Sequence, residues 1–259
     1  MKTFFLSLLL LPLISCGKTE SKTEIPTQAY TSTTATTTAT TVTIAASIDH
    51  AQWNTLLQKH VSKNGNVDYK GFQKDSKQLQ SYLDLLAANV PTKSWSKNAV
   101  LAYWINTYNA YTVKLILDNY PVKSIKDISN PWGKKFFTLG AKKYSLEEVE
   151  HEILRKMDEP RIHFAINCAS FSCPNLLNEA YTEAKVEKQL ESVAKSFVND
   201  KTKNTITANK IEISEIFSWF SGDFKTKGTV IDFLNQYSTV KINSKASVKF
   251  KTYNWSLND

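Results

Sequence analysis

The fold of this chain is decided by residues 97–119, which read KNAVLAYWINTYNAYTVKLILDN. No charged residue occurs between Lys97 and Lys114, and apolar or aromatic side chains fall on every face of the helix that this composition predicts. A helix that is apolar all round is typical of the centre of a domain. The sequence therefore predicts a buried central helix from Lys97 to Asn119, which Pro121 ends.

Two asparagines interrupt the apolar surface of this predicted helix. Asn106 and Asn109 are three residues apart and so occupy neighbouring positions of one helix face. A buried amide needs hydrogen-bond partners, because leaving it unpaired is destabilising. Two interpretations stay open: the amides hold a loop or a neighbouring backbone in place, or they belong to a ligand-binding site.

Further helices and short strands are predicted on both sides of the central helix. Apolar spacing predicts helices at 49–59, 76–88, 182–199 and 229–237 and an aromatic turn at 216–220, and a capping box of Ser145 with Glu148 opens one more helix. Strands are predicted at 136–139, 142–144, 161–167, 206, 211–213 and 248–253. Because few segments alternate as strand, helix and strand, we expect an α+β fold, a single helix-rich domain with a small, largely antiparallel sheet.

Chemically versatile side chains are concentrated in residues 151–174, HEILRKMDEPRIHFAINCASFSCP. This segment contains both arginines of the chain, two of its four histidines and two of its three cysteines. These residues are Arg155, Arg161, His151, His163, Cys168 and Cys173. Such side chains titrate near neutral pH, attack carbonyl carbons or bind carboxylates. We therefore predict that the functional site lies in this segment.

A carboxylate immediately precedes the segment. Glu150 falls within the apolar stripe of the predicted helix that opens at Ser145. A carboxylate on a buried face needs a cation or a donor. We expect Glu150 to be buried and paired with Arg161 or His163.

The middle of the segment alternates apolar and polar residues. This alternation predicts a strand over 161–167, with Arg161, His163 and Asn167 on one face. Cys168 would end the strand with its side chain directed toward the core.

The second cysteine is followed by a proline. Pro174 is predicted to occupy the first position of a helix, with Cys173 as its N-cap. Helix amides and the helix dipole lower the pKa of a thiol at that position. Cys173 is therefore predicted to be more reactive than Cys168.

The start of the chain has the pattern of a secretory signal. A basic Met1-Lys2 precedes an almost wholly apolar run at 4–14, too short for a bilayer span of about 20 residues. The run ends at a cysteine and resembles the lipobox of bacterial lipoproteins. That resemblance implies cleavage before Cys16 and lipid attachment to it. We expect a signal peptide at 1–15 and a lipid anchor on a membrane of the bacterial cell envelope.

A segment rich in Thr, Ala and Ser follows the predicted lipidation site. It has few apolar side chains to bury and predicts a disordered tether over 16–47, which leaves a domain at 48–259.

The formal net charge of +8 comes from lysines scattered among acids, without a long basic block. This distribution predicts no nucleic-acid partner. The ligand, a small molecule or a peptide, and the oligomeric state stay open.

Six motifs of the predicted domain form a specific combination. They are VDYKGF (67–72), AYWINTYNA (102–110), NYPVKSI (119–125), SLEEVEHEILR (145–155), PRIHFAINCASFSCPNL (160–176) and YNWSLND (253–259). Together they resemble the family called domain of unknown function 547. The resemblance implies a single domain type that occurs in bacterial lipoproteins and in eukaryotic proteins, without an established reaction. The residues that match the family's pattern are Trp104, Asn106, Asn109, Glu150, His151, Arg155, His163, Cys168, Ser170 and Cys173.

Three functional interpretations remain. In the first, the protein is a thiol-dependent hydrolase or acyl transferase in which Cys173 or Cys168 attacks a carbonyl. His151 or His163 would act as the base, and an Asn or Glu150 would orient the imidazole. The buried helix beside a sheet is loosely similar to papain and the transglutaminases, by analogy only.

In the second interpretation, Cys168 and Cys173 form a disulfide. The cell envelope is commonly oxidising, and lipidation of Cys16 leaves this as the one available pair. The protein would then be a non-catalytic or redox binding module for an anionic ligand. The candidate binding residues are Asn106, Asn109, Arg155, Arg161, Asn167 and Ser170.

The third interpretation is a metal site that uses His151, His163 and the cysteines. Their spacing fits no closed zinc pattern, so the sequence favours the other two interpretations. We expect no metal and no cofactor.

Overall fold

Residues 47–259 are described by the structure, which is a computed structural model. The predicted signal peptide, Cys16 and all but the last residue of the predicted tether lie outside the described residues. Within 47–259, no helix combines the length and the apolar character that a bilayer span requires.

The described chain is mostly helical. Its α-helices are Ala51–His60 (α1), Tyr69–Lys74 (α2), Ser76–Ala88 (α3), Lys97–Asn119 (α4), Val186–Asn199 (α5), Ile216–Trp219 (α6), Ser221–Phe224 (α7) and Val230–Tyr237 (α8). Three short 3-10 helices span Ile125–Asp127, Arg155–Met157 and Pro160–Phe164, and a π-helical segment spans Glu148–Leu154. The strands are Phe137–Leu139 (β1), Lys142–Tyr144 (β2), Thr205–Ile206 (β3), Lys210–Ser214 (β4) and Ser247–Lys251 (β5).

Helix α4 runs through the middle of the domain, as its composition predicts. Ser96 caps it by accepting a hydrogen bond from the amide of Ala99 at 3.1 Å. Every residue from Leu101 to Val113 is buried, whichever face of the helix it lies on. Both predicted ends of this buried helix, Lys97 and Asn119, are confirmed.

The two asparagines of α4 hold other segments by their backbone. Asn106 donates to the carbonyl of Tyr181 at 2.7 Å and accepts from the amide of the same residue at 3.0 Å. Asn109 donates to the carbonyl of Ala165 at 2.9 Å and accepts from the amide of Asn167 at 2.8 Å. Of the two interpretations that the sequence left open, the anchoring of neighbouring backbone is therefore confirmed.

Two small sheets complete an α+β fold. Strands β1 and β2 form an antiparallel hairpin, and β3, β4 and β5 form a second sheet in that order. β3 is antiparallel to β4, whereas β4 and β5 are parallel over five residue pairs. A helix-rich domain with a buried central helix and small, largely antiparallel sheets is thus confirmed.

The predicted strand at 161–167 is wrong. Pro160 fixes its own backbone and begins the 3-10 helix Pro160–Phe164, which Glu159 caps by accepting from the amide of Arg161 at 3.2 Å. Apolar residues at alternate positions in so short a run do not distinguish a strand from a tight helix.

The helix predicted after Pro174 is wrong as well. The chain continues without helix until Val186, because side chains occupy its backbone groups. Asn167 donates to the carbonyl of Pro174 at 2.7 Å, and Asn54 accepts from the amide of Ala180 at 3.1 Å. The helix predicted at 182–199 accordingly begins only at Val186.

Asn106→Ala should lower the free energy of unfolding by about 3 kcal/mol, because both backbone groups of Tyr181 would be left buried without partners. Urea denaturation measures the change. Asn119→Ala is the matched control, since the exposed Asn119 bonds only the Leu115 carbonyl of its own helix and should cost under about 1 kcal/mol. Equal losses in the two variants would contradict the anchoring role.

Candidate active site

A cavity of about 410 Å³ opens beside the segment that the sequence singles out. All five residues predicted to be catalytic line it. They are Glu150, His151, His163, Cys168 and Cys173. Aromatic side chains form much of the remaining wall. These are Tyr108, Trp132, Trp219, Phe220, Tyr253 and Trp255. The structure therefore brings the ionisable groups together beside an apolar surface.

The two cysteines of this cavity are free thiols in contact with each other. Their sulfur atoms are 3.1 Å apart, and the amide of Cys168 donates to the sulfur of Cys173 at 3.0 Å. Cys173 is buried and Cys168 is partly exposed. Both cysteines line the cavity, and Cys168 is the more exposed residue of the two.

Hydrogen bonds favour the ionised form of Cys168. Its sulfur lies 3.1 Å from Cys173 Sγ, 3.1 Å from Ser170 Oγ and 3.4 Å from the hydroxyl of Tyr253. The contact with Cys173 contributes most, and together these bonds outweigh burial and lower the pKa of Cys168 to about 6. Burial, and then the neighbouring charge on Cys168, raise the pKa of Cys173.

The reasons for expecting Cys173 to be the more reactive thiol are therefore wrong. No helix begins at Pro174, so no unpaired helix amides surround the Cys173 sulfur. Cys168, which was expected to face the core, is the more exposed of the two. The pKa is lowered at Cys168 and raised at Cys173, which is the opposite of the predicted contrast.

The last residues of the chain hold the loop between the two cysteines. Phe171 donates its amide to the carbonyl of Ser256 at 2.7 Å, and Ser172 donates to Asn254 at 3.1 Å. Ala169 has a φ of 58°, a left-handed conformation that a residue with a side chain seldom adopts. A backbone held in this conformation beside a reactive group is typical of functional sites.

Asn167 fixes both ends of the same loop. Its side-chain oxygen accepts from the amide of Ala169 at 2.9 Å and from Asn258 at 3.2 Å, and its amide group donates to Pro174. Nearby, Lys203 donates to the carbonyl of Phe171. The final segment of the chain therefore supports the loop that carries both cysteines.

Glu150 is buried, as predicted, but not with the partners predicted for it. The hydroxyl of Tyr108 donates to its carboxylate at 3.3 Å. Arg161 pairs instead with Glu159 at 2.6 Å, and His163 bonds elsewhere. Burial, followed by the charge of Cys168, raises the pKa of Glu150 to about 7.

His163 belongs to a charged cluster that includes a residue absent from the sequence predictions. Its Nε2 lies 2.8 Å from Asp223, and Arg155 grips the same carboxylate with Nε at 2.6 Å and Nη2 at 2.8 Å. The guanidinium, more than the imidazole, lowers the pKa of Asp223. A carboxylate only accepts, so a neutral His163 keeps its proton on Nε2 and its lone pair on Nδ1. A lone acid among the aromatic residues of 216–224 was the available signal for Asp223.

His151 has the opposite arrangement of its ring nitrogens. Arg155 Nη1 donates to His151 Nδ1 at 2.8 Å, since a guanidinium cannot accept. The neutral imidazole therefore carries its proton on Nε2. Burial, and then the charge of Arg155, lower the pKa of His151. In the neutral imidazole, Nε2 is therefore a hydrogen-bond donor.

None of the six predicted binding residues lines the cavity itself. Asn106 and Asn109 anchor backbone, and Arg161 pairs with Glu159 and Glu187 away from it. The other three are Arg155, which orients His151 and Asp223, Asn167, which fixes the cysteine loop, and Ser170, which bonds Cys168. Among residues 47–259, no group of three or more His, Cys, Asp or Glu side chains is arranged to hold a metal ion.

A comparison with family models gives a match over part of the chain. Residues 92–198 match the model of a family described as "Protein of unknown function, DUF547". The match supports the resemblance carried by the motifs. It includes Glu150, both histidines and both cysteines of the cavity, and it ends before Asp223 and Tyr253. No curated protein and no solved structure matches the chain.

Glu150→Gln should change how stability depends on pH. The folded protein holds the Glu150 proton with a pKa of about 7, against an ordinary value of 4.5. The contribution of this proton to stability is complete below 4.5 and is lost as the pH rises through 7. As the pH rises from about 4 to about 8, the free energy of unfolding of the variant should therefore increase by up to about 3 kcal/mol relative to that of the unsubstituted protein.

Chemical denaturation at several pH values measures this difference. Glu152→Gln, an exposed carboxylate on the same turn, is the control and should show no such trend. A Glu150→Gln difference that stays flat across the pH range would contradict the raised pKa.

Proposed function

We propose that the protein is a thiol-dependent hydrolase or acyl transferase with Cys168 as its nucleophile. One observation carries the proposal. The sulfur of Cys168 lies within 3.4 Å of three hydrogen-bonding groups beside an open cavity, and these contacts lower its pKa to about 6. A thiol with this pKa is mostly thiolate at neutral pH, and the thiolate is the attacking species.

Glu150 supplies the proton transfers that acyl transfer requires. With a pKa of about 7, its carboxyl group can both donate and accept a proton at neutral pH. The Cys168 sulfur bonds to the substrate carbonyl carbon, and the leaving oxygen or nitrogen departs with the Glu150 proton. Water or another acceptor then attacks the thioester and gives its proton to Glu150. The carbon–sulfur bond breaks and the thiolate returns.

The histidines have distinct parts in this scheme. His151 presents Nε2–H as a donor to the oxygen that becomes negative in the tetrahedral adduct. His163, held by Asp223, keeps a basic Nδ1. In the described residues, no imidazole hydrogen-bonds either sulfur, so the thiol is ionised by Cys173, Ser170 and Tyr253 instead.

A second candidate function rests on the contact between the two sulfurs. At 3.1 Å, Cys173 is placed to attack a mixed disulfide on Cys168. Cys168 would first attack a substrate disulfide and release one substrate thiol. Cys173 would lose its proton and attack Cys168, which forms the intramolecular disulfide and releases the second thiol. The substrate gains two electrons and the protein loses them.

Two serine variants separate the candidates. With p-nitrophenyl acetate, Cys168→Ser should reduce nitrophenol release at least about 100-fold and abolish the acetyl adduct seen by intact-protein mass spectrometry. Cys173→Ser should stay within about tenfold, because a serine hydroxyl can still donate to Cys168. Loss of peptide-disulfide reduction in both variants would instead support disulfide exchange. Unchanged esterase and reductase rates in Cys168→Ser would contradict both.

We also propose that the domain is tethered to a membrane of the bacterial cell envelope through lipid on Cys16. The lipobox-like signal and the Thr-rich segment support this proposal. Cys16→Ser should move the protein from the membrane fraction to the soluble fraction of cells, because the lipid would be lost. Cys173→Ser, which leaves the signal intact, is the control and should stay with membranes. A Cys16→Ser variant that partitions like the unsubstituted protein would contradict the anchor.

A further inference from the structure

Strand β5 presents an open edge of the three-stranded sheet. Within residues 47–259, its ladder partner is β4 alone. The amide of Ser247 donates to the carbonyl of Asn209 at 3.0 Å, so the backbone of Ser247 faces β4. Backbone direction alternates along a strand, and the N–H and C=O groups of Val248 and Phe250 therefore face outward.

The side chains of the same two residues form an exposed apolar surface. Val248 and Phe250 are 42% and 41% exposed. They lie beside Ile211 and Ile213 of β4, which are buried, so they extend the core-facing side of the sheet past the part that the domain covers. Lysines at a sheet edge normally discourage pairing, but Lys249 lies on the opposite face. Open backbone groups and an apolar surface thus coincide.

This edge leads to the cavity. Phe250 is three residues before Tyr253, about 10 Å along an extended chain. The Tyr253 hydroxyl lies 3.4 Å from the sulfur of Cys168 and 3.0 Å from Ser170. Trp219, which is 47% exposed, packs against Tyr253 with ring centroids 4.8 Å apart. A chain laid along β5 and continued past Tyr253 therefore arrives at Cys168.

We propose that the substrate is an extended peptide that pairs with β5 as an additional strand. This inference rests on the proposed function and names its substrate class. The outward N–H and C=O groups of Val248 and Phe250 bond the peptide backbone, and apolar side chains at every second peptide position pack on the same two residues. The peptide continues past Tyr253 and presents a carbonyl group to Cys168.

Peptide binding tests the proposal apart from the chemistry. The probe is a fluorescein-labelled peptide of about six alternating Thr and Val residues, long enough to pair with one strand. Fluorescence anisotropy is measured on the Cys168→Ser protein, so that no reaction contributes. Two further probes carry N-methyl groups on one or the other set of alternate amides. The probe whose methylated amides face β5 should lose binding, and the probe whose methylated amides face away from β5 should keep it.

Two substitutions examine the backbone and the side chains of β5 separately. Val248→Pro removes an outward N–H and no ladder bond to β4, and Phe250→Ser removes apolar surface. Each should weaken binding at least about fivefold. Val240→Ser is the matched control, since Val240 is 38% exposed and lies outside the strand. Thermal melting verifies that all variants fold.

Four results would overturn the inference. The first three are no saturable binding at millimolar probe, equal affinity in all variants, and equal binding of both methylated probes. The fourth is the formation of concentration-dependent dimers that Val248→Pro abolishes, which would assign the edge to a second copy of the chain. If binding depends on β5 but Cys168→Ser leaves the esterase rate unchanged, the docking surface stands and the proposed chemistry fails.

Discussion

Hydrogen bonds between the buried helix α4 and the backbone before Cys168 are the constraint on which the candidate site depends. Asn109 satisfies the carbonyl of Ala165 and the amide of Asn167 from inside the core. A buried amide pair of this kind is stable only in one arrangement, because either displaced group would be left without a partner. The segment that carries Cys168 therefore starts from a rigid support, although it has no regular secondary structure. Rigidity here comes from side-chain amides.

The electrostatics of the cavity follow from what that support brings together. Burial alone would keep a thiol neutral, but hydrogen bonds favour its ionised form, and three polar groups lie within 3.4 Å of the sulfur of Cys168. Burial acts on Glu150 without such compensation, because Tyr108 offers only one bond at 3.3 Å. The same low-polarity cavity thus lowers the pKa of one acid and raises that of the other. This separation is typical of sites that need a nucleophile and a proton donor at one pH.

The Arg155–Asp223 pair has a different part in this arrangement. It neutralises its own charge and fixes the two imidazoles with opposite tautomers, since Arg155 donates to His151 and Asp223 accepts from His163. A bidentate guanidinium holds a carboxylate in one plane, which a lysine could not do. Arg155 therefore serves to orient the side chains that line the cavity.

Features that depend on local sequence could be predicted, and features that depend on distant contacts could not. The apolar run at 97–119 forms a buried helix, as its composition requires. Both histidines and both cysteines of 151–174 line one cavity. The predicted strand after Pro160 is wrong because period-two spacing over the seven residues 161–167 does not decide between a strand and a tight helix. Asp223 contacts His163 and Tyr253 contacts Cys168 only in the folded protein, because each pair is more than 50 residues apart in the chain. No local sequence pattern therefore predicts these contacts.

The same limit explains why the activation predicted for Cys173 rested on a helix that does not form. Proline after Cys173 is a good signal for a helix start, but the amides that would have formed that helix are bonded by Asn54 and Asn106 instead. Whether a thiol is activated depends on the polar groups that surround it. Those around the sulfur of Cys168 are Ser170, Cys173 and the distant Tyr253. Of these, only the last lies outside the segment that the sequence singled out.

Ionisation of Cys168 in the unmodified protein tests the account most directly. Thiolate absorbance near 240 nm, followed as the pH is raised, should show one thiol ionising near pH 6 in the reduced protein. The transition should disappear in Cys168→Ser and move to higher pH in Tyr253→Phe, which removes one donor. A protein in which no thiolate forms below the ordinary thiol pKa of about 8.5, or in which the early transition survives in Cys168→Ser, would contradict the account.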